Sequence, residues 1–261
     1  MNQKLMPVQD LLKGAFEQYK KHYKVLAGIM LIAGIGLYAQ TILMYFTLKS
    51  AAVPMSYQYG EYGMSNYPVA TGAGLAGFGA LALIASLVYL VGMLWGVPAV
   101  LNYINKIDQP MSIKEAFMQA KPFIWPTFIT SLIAGILTAI GFILVIIPGI
   151  IVGVWLSFAL YIVIVENKKG VEALKSSKAY VEGYWWPVFG RMFLVGLGIA
   201  IIAGIVGNIL QSILGYTFGM LAQNVIMLVL IPYIFLYQFA LYKNLKQVKG
   251  GSAHVESTPA V

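Results

Sequence analysis

The sequence predicts an all-α polytopic membrane protein: six transmembrane helices arranged as three hairpins, each hairpin preceded by a short interfacial amphipathic helix. Three observations carry that prediction. Mean hydropathy is +0.80, and 10 % of residues are charged, against roughly 25 % in soluble domains. The uncharged stretches 25–48, 62–105, 122–165 and 192–242 each exceed the ~20 residues that cross a ~30 Å hydrocarbon core, and the last two are long enough for two crossings each. Sixteen of the 17 Lys and Arg residues lie on alternate sides of these stretches, with Lys49 alone on the other side. By the positive-inside rule the basic side is cytoplasmic.

The six spans fall at about 25–48, 73–103, 123–147, 149–165, 188–212 and 223–242. They make residues 1–246 one transmembrane domain, with 247–261 a polar, disordered cytoplasmic tail. An even span count puts both termini in the cytoplasm, and the expected location is the prokaryotic cytoplasmic (inner) membrane. Ser50-Ala51-Ala52 resembles a signal-cleavage site. The apolar stretch before it is longer than the ~7–15 residues of a signal h-region, so it reads as a retained first span.

Each hairpin opens on a charged segment of helical period. In Val8 to Tyr19, Leu12, Phe16 and Tyr19 share a stripe. Ser112 to Gln119 aligns Ile113, Ala116 and Phe117 behind a capping box of Ser112 and Glu115. Val171 to Val181 places Val171, Leu174 and Lys178 in line. Short helices of this pattern lie in the headgroup plane. The spans that follow begin alike, with Trp125-Pro126-Thr127-Phe128, Trp186-Pro187-Val188-Phe189 and, more distantly, Tyr23-Lys24-Val25-Leu26. Counting from the first aromatic, Ala33, Gly135 and Gly196 are equivalent, which suggests a threefold internal repeat.

Two ladders of small residues continue from there: Thr127, Ser131, Gly135, Ala139, and Gly196, Ala200, Gly204, Asn208, Ser212. Such spacing lets helix backbones approach closely in lipid, so both faces are expected to be helix contacts. The second and third hairpins turn at Pro148-Gly149 and near Gly215. The first carries a loop, Met55 to Pro68, in which Tyr57, Tyr59, Tyr62 and Tyr67 stand among Gly and Ser. It reads as an interfacial aromatic lid or, alternatively, a partner-binding surface.

The chain offers little for catalysis. It has no Cys and two His, His22 and His254, with no spacing that suggests a metal site, phosphate loop or cofactor. No span carries an evident ionisable residue, which disfavours an ion-coupled pump. Intramembrane polar residues gather at the junction of spans five and six, where Asn208, Gln211, Ser212, Gln223 and Asn224 are either interhelical hydrogen-bonding groups or the lining of a site for a headgroup or small solute. Glu166 ends span four, where a carboxylate opposes the helix dipole; a cation such as Lys178 or Arg191 is its expected partner.

The +8 net charge lies wholly on the basic face and implies attraction to anionic lipid headgroups, at about 1 kcal/mol per basic residue near the surface. The charge is dispersed over several segments, so nucleic acid is not expected as a partner. A protein partner or a second copy of the chain stands beside lipid as an expected contact.

Residues 120–195 also carry a resemblance. Ile147-Pro148-Gly149-Ile150, Trp155, the span-ending Glu166, Ala173-Leu174-Lys175-Ser176-Ser177 and Gly183-Tyr184-Trp185-Trp186 resemble a poorly characterised prokaryotic integral membrane family. That family includes the membrane domain preceding the catalytic barrel of some glycerophosphoryl diester phosphodiesterases. In those enzymes the chemistry belongs to the barrel, which the residues after Tyr242 do not resemble. The resemblance therefore implies a helical membrane module connected with phospholipid or envelope processes, and no catalytic residue. The expected function is a non-enzymatic inner-membrane module that associates with lipid or organises a membrane partner; the alternative is a passive or facilitated transporter or channel for a small or lipidic solute.

Overall fold

A computed structural model describes residues 5–51 and 72–256. Secondary structure among them is helical throughout, and the protein is an all-α, multi-pass membrane protein. The aromatic loop Met55 to Pro68 lies outside the described residues.

The first span is bent. Helices α1 (Val8–Ala33) and α2 (Ile35–Ala51) meet at Gly34 at 53°. Here the chain is pressed from two sides: a Cβ on Gly34 would collide with Leu228, and one on Gly36 with the backbone at Tyr89. From α3 (Gly72–Asn105), Gly92 and Gly96 abut Ala33 in return. The expected amphipathic helix at Val8 to Tyr19 is not a separate element but the first half of α1. No Gly or Pro interrupts residues 15–27, and the buried stripe Leu11, Ala15, Leu26, Ile29, Met30 runs through both halves. That stripe is rotated from the expected one, leaving Phe16 exposed.

The second lead-in helix runs on through a 3₁₀ turn into its span, the two forming one stretch Ile113–Leu144, whereas the third is separated from its span. Helix α4 (Ile113–Ala120) begins on the expected capping box, the Ser112 amide donating to Glu115 Oε2 at 2.7 Å and the Glu115 amide to Ser112 Oγ at 3.3 Å. A 3₁₀ turn, Lys121–Phe123, leads into α5 (Ile124–Leu144). Helix α8 (Gly170–Val181) precedes α9 (Trp185–Leu214). Trp125 and Trp186 both stand exposed in the first turn of their spans, while Thr127 and Val188, two residues on, are both buried. This is the like-for-like placement that the shared tetrapeptide implies.

The second hairpin turns earlier than Pro148-Gly149. Extended Val145 (φ −164°, ψ 150°) separates α5 from α6 (Ile146–Leu156). Pro148 stands in the first turn of α6, where its missing N–H is harmless. Gly149 packs on Gly141 and Phe142, so the small residue serves the contact between the arms. A break at Ser157-Phe158 separates α6 from α7 (Ala159–Glu166), and together they make one span. Gly215, at φ 77°, turns the third hairpin into α10 (Tyr216–Glu256). The expected tail is thus helical to Glu256, and residues 257–261 lie outside the described set. Leu245 and Val248 continue the buried stripe from Leu241 at i+4 and i+7, beyond the apolar span, and account for the helix as far as Val248.

Helix α10 packs along α1 and α9, α2 lies on α3, α5 lies on α6, and α8 ties α5, α6, α7 and α10 together. The core concentrates at the basic end, where Phe158, Ile162, Ala173, Val181, Tyr242 and Leu245 are all buried. At the far end the hairpin tips are bare: Ile143 is 83 % and Ile213 73 % exposed. Apolar side chains that open suit hydrocarbon rather than water.

Candidate functional site

The densest polar constellation is built on Glu166. Asn167 takes the left-handed conformation (φ 55°) that ends α7, and Lys168 Nζ reaches Glu166 Oε2 at 3.0 Å. The other carboxylate oxygen accepts three donors: Tyr180 Oη of α8 at 2.8 Å, Tyr242 Oη of α10 at 2.7 Å and Lys246 Nζ of α10 at 2.8 Å. Tyr242 and Lys246 are one turn apart and present one face. Burial, with the neighbouring Glu166 carboxylate adding to it, pushes the Tyr180 hydroxyl up to about 12, so it remains a donor at neutral pH. The Tyr161 and Tyr242 rings stack beside the cluster, centroids 6.1 Å apart.

The expected cationic partners are corrected. Lys178 sits over the Trp155 ring, Nζ 4.6 Å from its centroid. Arg191 donates to the carbonyls of Leu5 and Met6, at 3.0–3.2 Å, and to Pro187 O at 3.0 Å. With Asn244 Oδ1 accepting from the Met6 amide at 2.8 Å, it straps the N-terminal segment across α9 and α10. Spacing along the chain could identify Glu166 as needing cations; it could not rank Lys246, 80 residues away, above Arg191. Chemically the carboxylate is saturated. Both oxygens are engaged and the side chain is 10 % exposed, which suits a lock between helices rather than a general base.

Ser177, which the sequence offers only within the run Ala173 to Ser177, is a second polar connection between segments. Its buried hydroxyl donates to Trp155 O at 2.7 Å and accepts from the Phe158 amide at 3.2 Å. The α6–α7 break leaves backbone groups without helical partners, and one side chain of α8 satisfies two of them. Thr130 does the same for α8, its Oγ1 accepting from the Gly170 amide at 2.9 Å while donating to Pro126 O at 2.7 Å. The signal was available as Ser and Thr beside apolar runs, but nothing in it named the partner.

The polar cluster of spans five and six separates into three parts. Gln211 Nε2 donates to Gln223 Oε1 at 3.2 Å across α9 and α10, beneath which Gly207 gives the Gln223 amide room. Asn224 turns to α2, donating to Thr41 Oγ1 at 3.2 Å. Asn208 and Ser212 are exposed and bonded to their own helix, at Gly204 O and Asn208 O, both at 2.8 Å.

Apart from buried Thr127, the ladders do not make the expected helix contacts. A Cβ at Gly135 or Gly196 would meet nothing within 4 Å, and both residues are exposed. Gly196 and Ala200 instead border a groove of about 280 Å³ between α9 and α10, lined from α10 by Met227, Ile234, Tyr237 and Gln238. A four-residue period identifies a face, not the direction it points; close approaches occur instead at glycines outside the ladders, among them Gly36, Gly92, Gly141 and Gly207.

Compared with known family models, curated proteins and solved structures, the chain matches none.

Proposed function

We propose that the protein is a non-enzymatic module of the prokaryotic inner membrane, oriented with its basic end in the cytoplasm, that associates with phospholipid or organises a membrane partner. One observation carries this reading: at the basic end the segments around α7, α8, α9 and α10 are tied together by polar contacts, while the described hairpin tips at the far end expose apolar side chains. Glu166, Ser177 and Arg191 each bond at least two chain segments there. At the far end, the Gln211–Gln223 and Asn224–Thr41 pairs are spent on helix contacts. The groove between α9 and α10 is bordered mainly by apolar and small residues, which suits a hydrocarbon chain better than a hydrated solute. The resemblance of residues 120–195 to the membrane domain of some glycerophosphoryl diester phosphodiesterases points to the same lipid context.

The discriminating experiment is reconstitution into liposomes. A module of this kind gives no protein-dependent efflux of entrapped ions or small dyes and no lipid scrambling above protein-free vesicles; saturable flux or scrambling would favour a transporter instead. Orientation is tested separately in intact cells with an impermeant thiol reagent. A Cys at Ser56 should label and one at Ser176 should not, and the reverse pattern would overturn the topology.

A further inference from the structure

A cleft of about 590 Å³ opens where α1 passes the turn between α3 and α4, within the ~300–1,000 Å³ range of small-ligand sites. Lys21, His22 and Lys24 line it from α1, and Tyr103, Asp108 and Met111 face them. Lys21 and Lys24 are exposed, and neither has a carboxylate within ion-pair distance among the described residues. With one acid on the lining, its charge is net positive. Tyr103 is 3 % exposed and its hydroxyl lies 2.8 Å from His22 Nδ1, so the imidazole is held from behind with Nε2 left for a ligand. An anion in the cleft selects the tautomer in which the tyrosine donates to Nδ1 and Nε2 carries the proton.

Depth points to the class of anion. Lys24 is the last charge before the uncharged stretch 25–48, and Met111 gives the cleft a buried apolar residue beside the basic ones. Positive charge over apolar surface, at the level where the helix enters hydrocarbon, matches the headgroup region of an anionic phospholipid.

We propose that this cleft binds a phosphoryl anion, neutralised by Lys21 and Lys24 and hydrogen-bonded by His22 Nε2, with the headgroup of an anionic phospholipid as its source. The proposal rests on the lipid-associated reading above and names the site at which that association is specific.

The test is native mass spectrometry of the full chain in mild detergent, titrated with phosphatidylglycerol or phosphatidylcholine of matched acyl chains. Wild type should retain phosphatidylglycerol preferentially. Lys21→Gln/Lys24→Gln should weaken that binding about 30-fold, the equivalent of two basic residues at about 1 kcal/mol each. His22→Phe should weaken it by a smaller factor, while Lys114→Gln/Lys175→Gln, an equal charge loss elsewhere on the basic face, should change it less than about 3-fold. Thermal melting of each variant shows that the fold is retained. Equal losses in the two lysine pairs would overturn the site in favour of a diffuse field, as would no preference for phosphatidylglycerol. Competition by free glycerol 3-phosphate at comparable affinity would uphold the phosphoryl site and overturn the lipid source. None of these outcomes depends on the flux assay, so the two readings fail separately.

Discussion

Glu166→Gln is the perturbation that most directly probes what closes the basic end. It preserves shape and removes one negative charge from a position that faces Lys168 and Lys246 at 3.0 and 2.8 Å. Breaking a fully buried pair costs about 3–5 kcal/mol because the remaining charge is stranded, whereas exposed pairs are worth about 0–1 kcal/mol. The Glu166 side chain is 10 % exposed and its lysines 34 % and 44 %, so the lysines regain water when the carboxylate is lost but the tyrosine hydroxyls do not. An intermediate cost of about 2–3 kcal/mol follows. For a chain of this size that corresponds to a melting shift of about 5–10 °C, at roughly 2–4 °C per kcal/mol.

The assay is intrinsic-fluorescence melting in mild detergent, with Glu172→Gln as the control, since Glu172 is exposed in the first turn of α8. That control should shift by no more than about 4 °C, as exposed charges near a helix start contribute about 0.3–1 kcal/mol, at roughly 2–4 °C per kcal/mol. Raising NaCl to 1 M should preserve most of the Glu166 effect, because a partly buried pair is screened far less than an exposed one. A Glu166→Gln shift no larger than that of Glu172→Gln would refute the lock.

Three further outcomes follow from the geometry. Gly92→Leu should lower melting temperature and monodisperse yield, since any side chain there meets the Ala33 backbone and overpacking costs about 1–3 kcal/mol; Gly135→Leu, with open space around it, should be tolerated. Ser177→Ala should cost about 2 kcal/mol in thermal or denaturant melting, because it leaves the Trp155 carbonyl and Phe158 amide without their partner. Gln223→Met alone should cost about 0.6–1.7 kcal/mol, whereas Gln211→Met/Gln223→Met should cost no more than the single change, since replacing both partners strands neither; additive losses would show that the amides do not act as a pair.

The parts of the fold that were legible in the sequence are those set by local physics. Hydropathy located the spans, and the Ser112/Glu115 capping box marked the start of α4. The tetrapeptides at Trp125 and Trp186 marked equivalent helix starts with the same residues exposed and buried. Less was legible where continuity or direction mattered. Val8 to Tyr19 has the composition of an interfacial helix, but composition cannot say whether a helix stops. With no Gly or Pro within Val8–Ala33 except the tolerated Gly14 and Gly28, α1 continues. The tail misled in the opposite way, because the Leu241, Leu245, Val248 stripe is three residues long and is buried only once the bundle has assembled around α10.

The candidate site shows the same division in sharper form. Glu166 could be singled out because an acid at a helix C-terminus demands compensation, a demand visible in one dimension. Which groups answer it is a property of three. Asn167 brings Lys168 back by a local turn, a device that short-range reasoning can reach; Tyr180, Tyr242 and Lys246 arrive on α8 and α10 only after the bundle has assembled. Arg191, the nearer candidate in sequence, is instead consumed by the carbonyls of Leu5 and Met6. These two cationic assignments are coupled through α10, which supplies both Asn244, bonded to the strapped N-terminal segment, and Lys246, bonded to Glu166. Loosening the strap with Arg191→Met should therefore reduce the stabilisation measured in a Glu166/Lys246 double-mutant cycle as well as the melting temperature itself. If the coupling energy between Glu166 and Lys246 is unchanged in the Arg191→Met background, the strap and the lock are independent, and the basic end is closed by two separate fastenings rather than one.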